Sequence, residues 1–181
     1  FCFFAFSHAL NMFDGDNGNV VFSSLFIFIF FYFRFFYAIF INLIIYLIIF
    51  FIFNYKNKIF LGNNGSLLLS FLISYFCVRL HNNNQIYADE IYLIMLIPGL
   101  DMVRLFFQRI LKKKSPFTAD NNHIHHIFLP IVGIKRYLIG LLIILLFTYY
   151  FLYFDLVFLG ILFVKVIYIF VIKYKFFFNK L

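Results

Sequence analysis

Between Val20 and Phe53 the chain carries a single charged residue, Arg34. No water-soluble fold can expose so long an apolar run, and none needs a core helix of that length. About 20 residues of helix cross the hydrocarbon of a bilayer. The run therefore predicts two membrane helices, Val20–Phe33 and Phe35–Phe53, with a tight turn near Arg34. The first reaches spanning length if Gly18 and Asn19 enter the interface. The whole chain agrees with this class: 65% of its residues are hydrophobic, only 12% are charged, and the mean hydropathy is +1.00. A soluble domain of 181 residues could not bury that much apolar surface.

The same reasoning extends along the sequence. Residues 1–10 read as the tail of a membrane helix, and Asn11–Asn19 is a polar break. Phe60–Leu80 and Ile86–Phe107 are two more helices, separated by the turn HNNNQ at 81–85. Pro98 and Gly99 lie inside the second of these, where freed backbone groups must find protein or water partners. Gln108–Pro130 reads as a long loop, followed by helices over Ile131–Phe154 and Leu156–Ile172 that meet at Asp155. The expectation is an all-α, polytopic transmembrane bundle of about six spans, forming one domain over residues 1–181. Phe1 already stands in an apolar run, so the chain is expected to be the C-terminal part of a longer protein.

A net charge of +8 would point to nucleic acid in a soluble protein, but the placement of the charges excludes it. Alternating six spans puts all but Arg34, Arg79 and Lys165 of the 15 Lys and Arg on the face that carries NMFDGDNG. The positive-inside rule makes that face cytoplasmic, together with the C-terminus. The excess of Phe, Tyr, Ile, Asn and Lys matches AT-rich codons, so the aromatics carry no functional argument of their own. Cys2 and Cys77 lack zinc or redox spacing.

Three polar constellations interrupt the apolar background. In the first, Asn11, Asp14, Asp16 and Asn17 place carboxylates and amide oxygens close together. Such a set suits a hard cation that keeps its waters; taken alone, an ordinary Asx- and Gly-rich turn explains it better. DGDNG also resembles part of a calcium loop but lacks the later bidentate Glu. The second is Gly62-Asn63-Asn64-Gly65-Ser66 at a helix start, where free N–H groups face an anion such as pyrophosphate; an ordinary Asn- or Ser-capped helix is the alternative. The third runs from Pro98 to His126. Asp101 and Arg104 stand at i, i+3 spacing and can pair locally. Lys112, Lys113 and Lys114 can face lipid headgroups. His123, His125 and His126, with Asp120, could be a zinc site, phosphate donors or a surface turn.

In order along the chain these read NMFDGDNG, GNNGS, PGLD, Arg109, SPFTAD and HIHH. The series resembles the polyprenyl-phosphate N-acetylhexosamine-1-phosphate transferases of the glycosyltransferase 4 type, whose pattern is NxxDGxDG, GDxGS, PxxD, an Arg, SPFxxD and HxHH. The resemblance covers roughly residues 8 to 130. The related phospho-MurNAc-pentapeptide transferases carry HHH followed by Phe-Glu, so HIHH fits the UDP-HexNAc branch better.

The resemblance implies transfer of an N-acetylhexosamine 1-phosphate, GlcNAc-1-phosphate by expectation, from a UDP-sugar to undecaprenyl phosphate with release of UMP. This would occur at the cytoplasmic face of a bacterial inner membrane and would begin a lipid-linked envelope glycan. It implies catalytic roles for Asn11, Asp14, His123, His125 and His126. Substrate binding falls to Gly62, Asn63, Gly65, Ser66, Asp101, Arg104, Arg109 and Asp120, with Ser115, Pro116 and Phe117 fixing the loop. Asp14 and Asn63 would hold Mg²⁺, or Mn²⁺ in its place. The partners are the two substrates and the bilayer, and no nucleic acid. Two residues depart from the pattern: Asn17 and Asn63 stand where the family has Asp, which removes charge from a metal site. The family's aspartate pair lies upstream of NMFDGDNG, so the chain alone is expected to be inactive. A non-catalytic or decayed homologue, or a transporter, is the rival reading.

Overall fold

The computed structural model describes residues 2–14, 18–113, 115 and 123–178, without the side chains of 2, 3, 5, 124–130 and 174–178. The described residues form eight α-helices and no strand: α1 Cys2–Phe13, α2 Asn19–Phe35, α3 Ala38–Tyr55, α4 Gly62–Asn82, α5 Ala88–Ile94, α6 Leu96–Leu111, α7 Ile124–Tyr153 and α8 Val157–Phe178. They fall into two units, Phe1–Ile86 and Tyr87–Leu181.

In the first unit α1 packs on α4, and α2 packs on α3 and α4. Phe28, Phe31, Phe40 and Ile73 are completely buried. The Phe40 and Phe76 rings meet edge to face at 4.9 Å, and Phe28 stacks on Phe40 at 6.4 Å. Both geometries are favourable for aromatic pairs and add to the stabilisation from the area the rings bury. The α2–α3 turn sits at Phe36-Tyr37, two residues past the expected Arg34. Phe36 takes a left-handed φ of 54°, and its N–H closes α2 on the Tyr32 carbonyl at 2.8 Å. Gln85 joins the far end of the unit to this turn: its Nε2 donates to the Tyr37 hydroxyl at 2.8 Å.

Among the described residues, two helical stretches, Ala38–Tyr55 and Ile131–Tyr153, are long and apolar enough to cross a membrane. Only 17% and 11% of them is buried, so neither is the core helix of a soluble domain. On α3, Ile41, Ile45, Ile48, Ile49 and Ile52 are all exposed, as an apolar solvent would permit.

The second unit differs from the sequence reading in two places. The single helix expected over Ile86–Phe107 is two helices, α5 and α6, broken at Met95. Pro98 is the cause. It has no N–H to give the Ile94 carbonyl, and its ring collides with that carbonyl in a continuous helix. It is tolerated in the first turn of α6, whose leading N–H groups have no intrahelical partner. The second difference is the loop expected over 108–130. α6 runs on to Leu111 and α7 begins at Ile124, so the link is half as long. α7 kinks at Gly133, whose φ of 75° and ψ of 156° suit glycine alone. α7 and α8 turn at Asp155, in the left-handed region that Asp tolerates. Gly160 lets α8 approach closely: a Cβ there would lie 2.8 Å from Phe151 Cβ and 2.9 Å from Leu93 Cδ2.

Candidate functional site

In the first unit the end of α1 meets the start of α4, which brings Asn11 of the first polar constellation to Ser66 of the second. Ser66 is fully buried, and its hydroxyl donates to Asn11 Oδ1 at 2.7 Å; the Asn63 carbonyl, 3.1 Å away, is its alternative acceptor. Residues 55 positions apart in sequence are thereby fixed to one another. Around this bond Gly62, Asn63 and Asn64 are exposed, at a helix start whose leading N–H groups are unused by the helix itself. Gly62 has a φ of 64°. Gly65 leaves space for Leu61, whose Cδ1 would lie 2.6 Å from a Cβ there.

Asp14 follows α1 directly, its N–H reaching the Asn11 carbonyl at 3.3 Å. It is half-buried, and burial pushes its carboxyl up to about 6. Desolvation disfavours the charged form, so a cation placed here would relieve that cost. Among the described residues no three His, Cys, Asp or Glu side chains converge as a ready-made metal cage. One carboxylate with amide oxygens nearby fits a hard cation held mainly by water and phosphate oxygens, rather than one held by protein alone.

In the second unit a different network forms around Asp101, buried in α6. Arg104 Nη2 donates to its Oδ1 at 2.7 Å, the local pair that the i, i+3 spacing allowed. Tyr168 of α8 donates its hydroxyl to the same oxygen at 3.1 Å and accepts from Arg104 Nε at 2.9 Å. Arg104 Nη1 also reaches Gln108 Oε1 at 3.2 Å. The other carboxylate oxygen lies 3.0 Å from Nδ1 of His123, the residue that caps α7. A proton on Nδ1 makes that contact a hydrogen bond and leaves Nε2 as the acceptor nitrogen. His123 is therefore a buried ring held by a carboxylate, not an open surface ligand.

Of the remaining expected residues, Arg109 is buried in α6 and Ser115 is exposed. His125 and His126 lie in the first turn of α7, not in a loop, and their side chains are outside the described set. Asn17, Asp16, Lys114, Pro116, Phe117 and Asp120 lie outside the described residues. Tyr168 was missed by sequence reasoning. One tyrosine in an aromatic-rich helix, 67 residues from its carboxylate partner, gives no local signal.

Residues 1–81 match the profile of glycosyl transferase family 4. An undecaprenyl-phosphate alpha-N-acetylglucosaminyl 1-phosphate transferase of Haemophilus influenzae is 36% identical over 80 residues, covering 41% of this chain and 22% of the relative. The protein of the same name in Thermotoga maritima is 37% identical over 76 residues, 42% of this chain and 25% of the relative. That of Escherichia coli K12 is 32% identical over 76 residues, 41% and 21%. The matched segment thus spans a quarter or less of the curated relatives. It contains NMFDGDNG and GNNGS, and the family profile ends before PGLD, SPFTAD and HIHH. No solved structure matches.

Proposed function

We propose that this chain, whose residues 1–81 match the profile of glycosyl transferase family 4, is part of a membrane transferase. It moves N-acetylhexosamine 1-phosphate, GlcNAc-1-phosphate first among candidates, from a UDP-sugar to undecaprenyl phosphate. The observation that carries this reading is the Ser66–Asn11 hydrogen bond. It ties Asn11, three residues before Asp14, to the glycine-bearing start of α4, and both stretches lie inside the matched residues 1–81. The reaction is attack of a polyprenyl-phosphate oxygen on the β-phosphorus of the nucleotide sugar, with UMP leaving.

In this reading the exposed N–H groups of Gly62, Asn63 and Asn64 receive pyrophosphate oxygens. Asn11 stays oriented through Ser66. Asp14 and Asn63 would hold Mg²⁺, which when bound neutralises charge on the diphosphate. The lipid phosphate arrives at headgroup depth, which accounts for a site made of helix ends. His123, with its Nδ1 side turned to Asp101, would accept at Nε2 from a sugar hydroxyl of the substrate, joined in substrate binding by Arg109, Asp120, His125 and His126. On a six-span reading, supported by the bias of Lys and Arg toward one set of loops, the α1–α4 junction and the α6–α7 link would both face the cytoplasm at a bacterial inner membrane.

The test is UMP release from UDP-GlcNAc in membranes expressing the complete reading frame that contains the chain. Asp14→Asn keeps the shape and removes the charge, and UMP release is expected to fall about 100-fold. Turnover equal to the parent would overturn the assignment. A parent with no turnover under Mg²⁺ or Mn²⁺ would favour the non-catalytic reading that Asn63 motivates.

A further inference from the structure

In the second unit a cavity of about 220 Å³ lies between α6, α7 and α8. Ile97, Val132, Leu141, Val164 and Ile167 form apolar walls. Arg136, Gly140 and Ile144 follow one another at four-residue spacing down one face of α7, so the cavity runs about 12 Å along that helix. Arg136 stands in the second turn of the candidate span Ile131–Tyr153, beside exposed Lys135. Because α8 returns antiparallel to α7, Val171 lines the same end of the cavity, and exposed Lys173 follows it two residues later. Arg136 is thus the one basic residue among the described lining residues, with Lys135 and Lys173 next to that end in sequence, and the other walls are mainly apolar. Among the described lining residues none is acidic.

The structure assigns this cavity to one acyl chain of an anionic glycerophospholipid, with the phosphodiester on Arg136. Three observations favour that occupant. Apolar walls around a space of this size lack dispersion partners, and a hydrocarbon chain supplies them. Basic pockets between membrane helices at headgroup depth attract anionic lipids, and guanidinium binds phosphate oxygens in a fork. The second chain of such a lipid has an apolar surface to follow, since Ile139 and Ile143 of α7 are exposed. Among the described lining residues there is no His, Cys, Asp or Glu. Of the two lining tyrosines, Tyr137 and Tyr168, the second has its hydroxyl engaged by Arg104 and Asp101, which suits a resident lipid better than a reacting one. An occupant would press on the Tyr168 ring and so brace the network that holds His123.

The assignment rests on the membrane reading above but not on transfer chemistry. The test uses the purified chain in neutral detergent, titrated separately with phosphatidylglycerol, phosphatidylcholine and polyprenyl phosphate. Tm and native mass spectra are the readouts. Phosphatidylglycerol is expected to raise Tm by about 4 °C or more at saturation, and phosphatidylcholine by less than half of that. A Cβ on Gly140 meets nothing within 4 Å, so Gly140→Leu fills the cavity without collision and should abolish the phosphatidylglycerol response. Ile144→Trp is a second plug with the same expectation. Arg136→Gln should weaken phosphatidylglycerol about tenfold and bring it level with phosphatidylcholine; this surface change decides alone if neither plugged variant folds. Equal response to both phospholipids, a response that survives both plugs, or displacement by equimolar polyprenyl phosphate would each overturn the site. A chain that never enters membranes overturns the membrane reading and the site with it, whereas loss of UMP release leaves the site standing.

Discussion

Asp14 has a cost built into its position. Its carboxyl is half-buried, and burial lifts it from 3.8 to about 6. A group raised in the folded state stabilises the fold below its unfolded pKa, and that stabilisation is lost as pH rises through the folded value. Tm of the metal-free chain in detergent should therefore fall between about pH 4 and 6 and level off above. Asp14→Asn should flatten that step, and an unchanged step would show that the carboxyl titrates as if exposed. Ser66 makes a complementary case. Ser66→Ala leaves Asn11 Oδ1 without its buried donor and should cost about 1 kcal/mol in denaturant unfolding, while Ser66→Thr should recover most of it. Both residues were legible in the sequence, because Asx, Gly and Ser in an apolar chain stand out against their background. Tyr168 was not: its meaning comes only from Asp101 and Arg104 across the unit.

At the scale of elements, hydropathy located the helices and backbone chemistry decided their ends. The apolar run from Val20 to Phe53 had to fold back, but only the left-handed φ of Phe36 says where. That conformation costs a residue with a Cβ about 1 kcal/mol. Phe36→Gly should raise Tm by about 2–4 °C, and a fall would show that the exposed ring anchors the turn more than its backbone strains it. Pro98 was read as a break inside one helix; the structure separates two, since the proline excludes the Ile94 carbonyl from helical bonding. The start of α7 was hidden for the opposite reason. NHIHH is polar and reads as loop, yet His123 caps a helix whose first turn carries the other two histidines. Gly160 shows tight packing that composition could not reveal. Gly160→Ala pushes a Cβ into Phe151 and Leu93 and should destabilise the second unit by about 1–3 kcal/mol, read from denaturant midpoints.

For the molecule as a whole, the proposal needs one face. The family match ends before HIHH, and the two halves of the expected site lie in separate units. The one-face expectation rests on charge alone. If the basic loops all face the cytoplasm, then Lys58, after α3, and Lys112, after α6, lie on one side, and Asp155, between α7 and α8, lies on the other. Single cysteines at these three positions, in a chain with Cys2 and Cys77 replaced by serine, test this with a thiol reagent that cannot cross the bilayer. Lys58→Cys and Lys112→Cys should label only in inverted vesicles, and Asp155→Cys only in right-side-out cells. Lys58 and Lys112 on opposite sides would separate Asp14 and the Gly62 helix start from the His123 network by the thickness of a membrane. No single nucleotide sugar could then touch both, and the chemistry would have to be sought in the first unit alone.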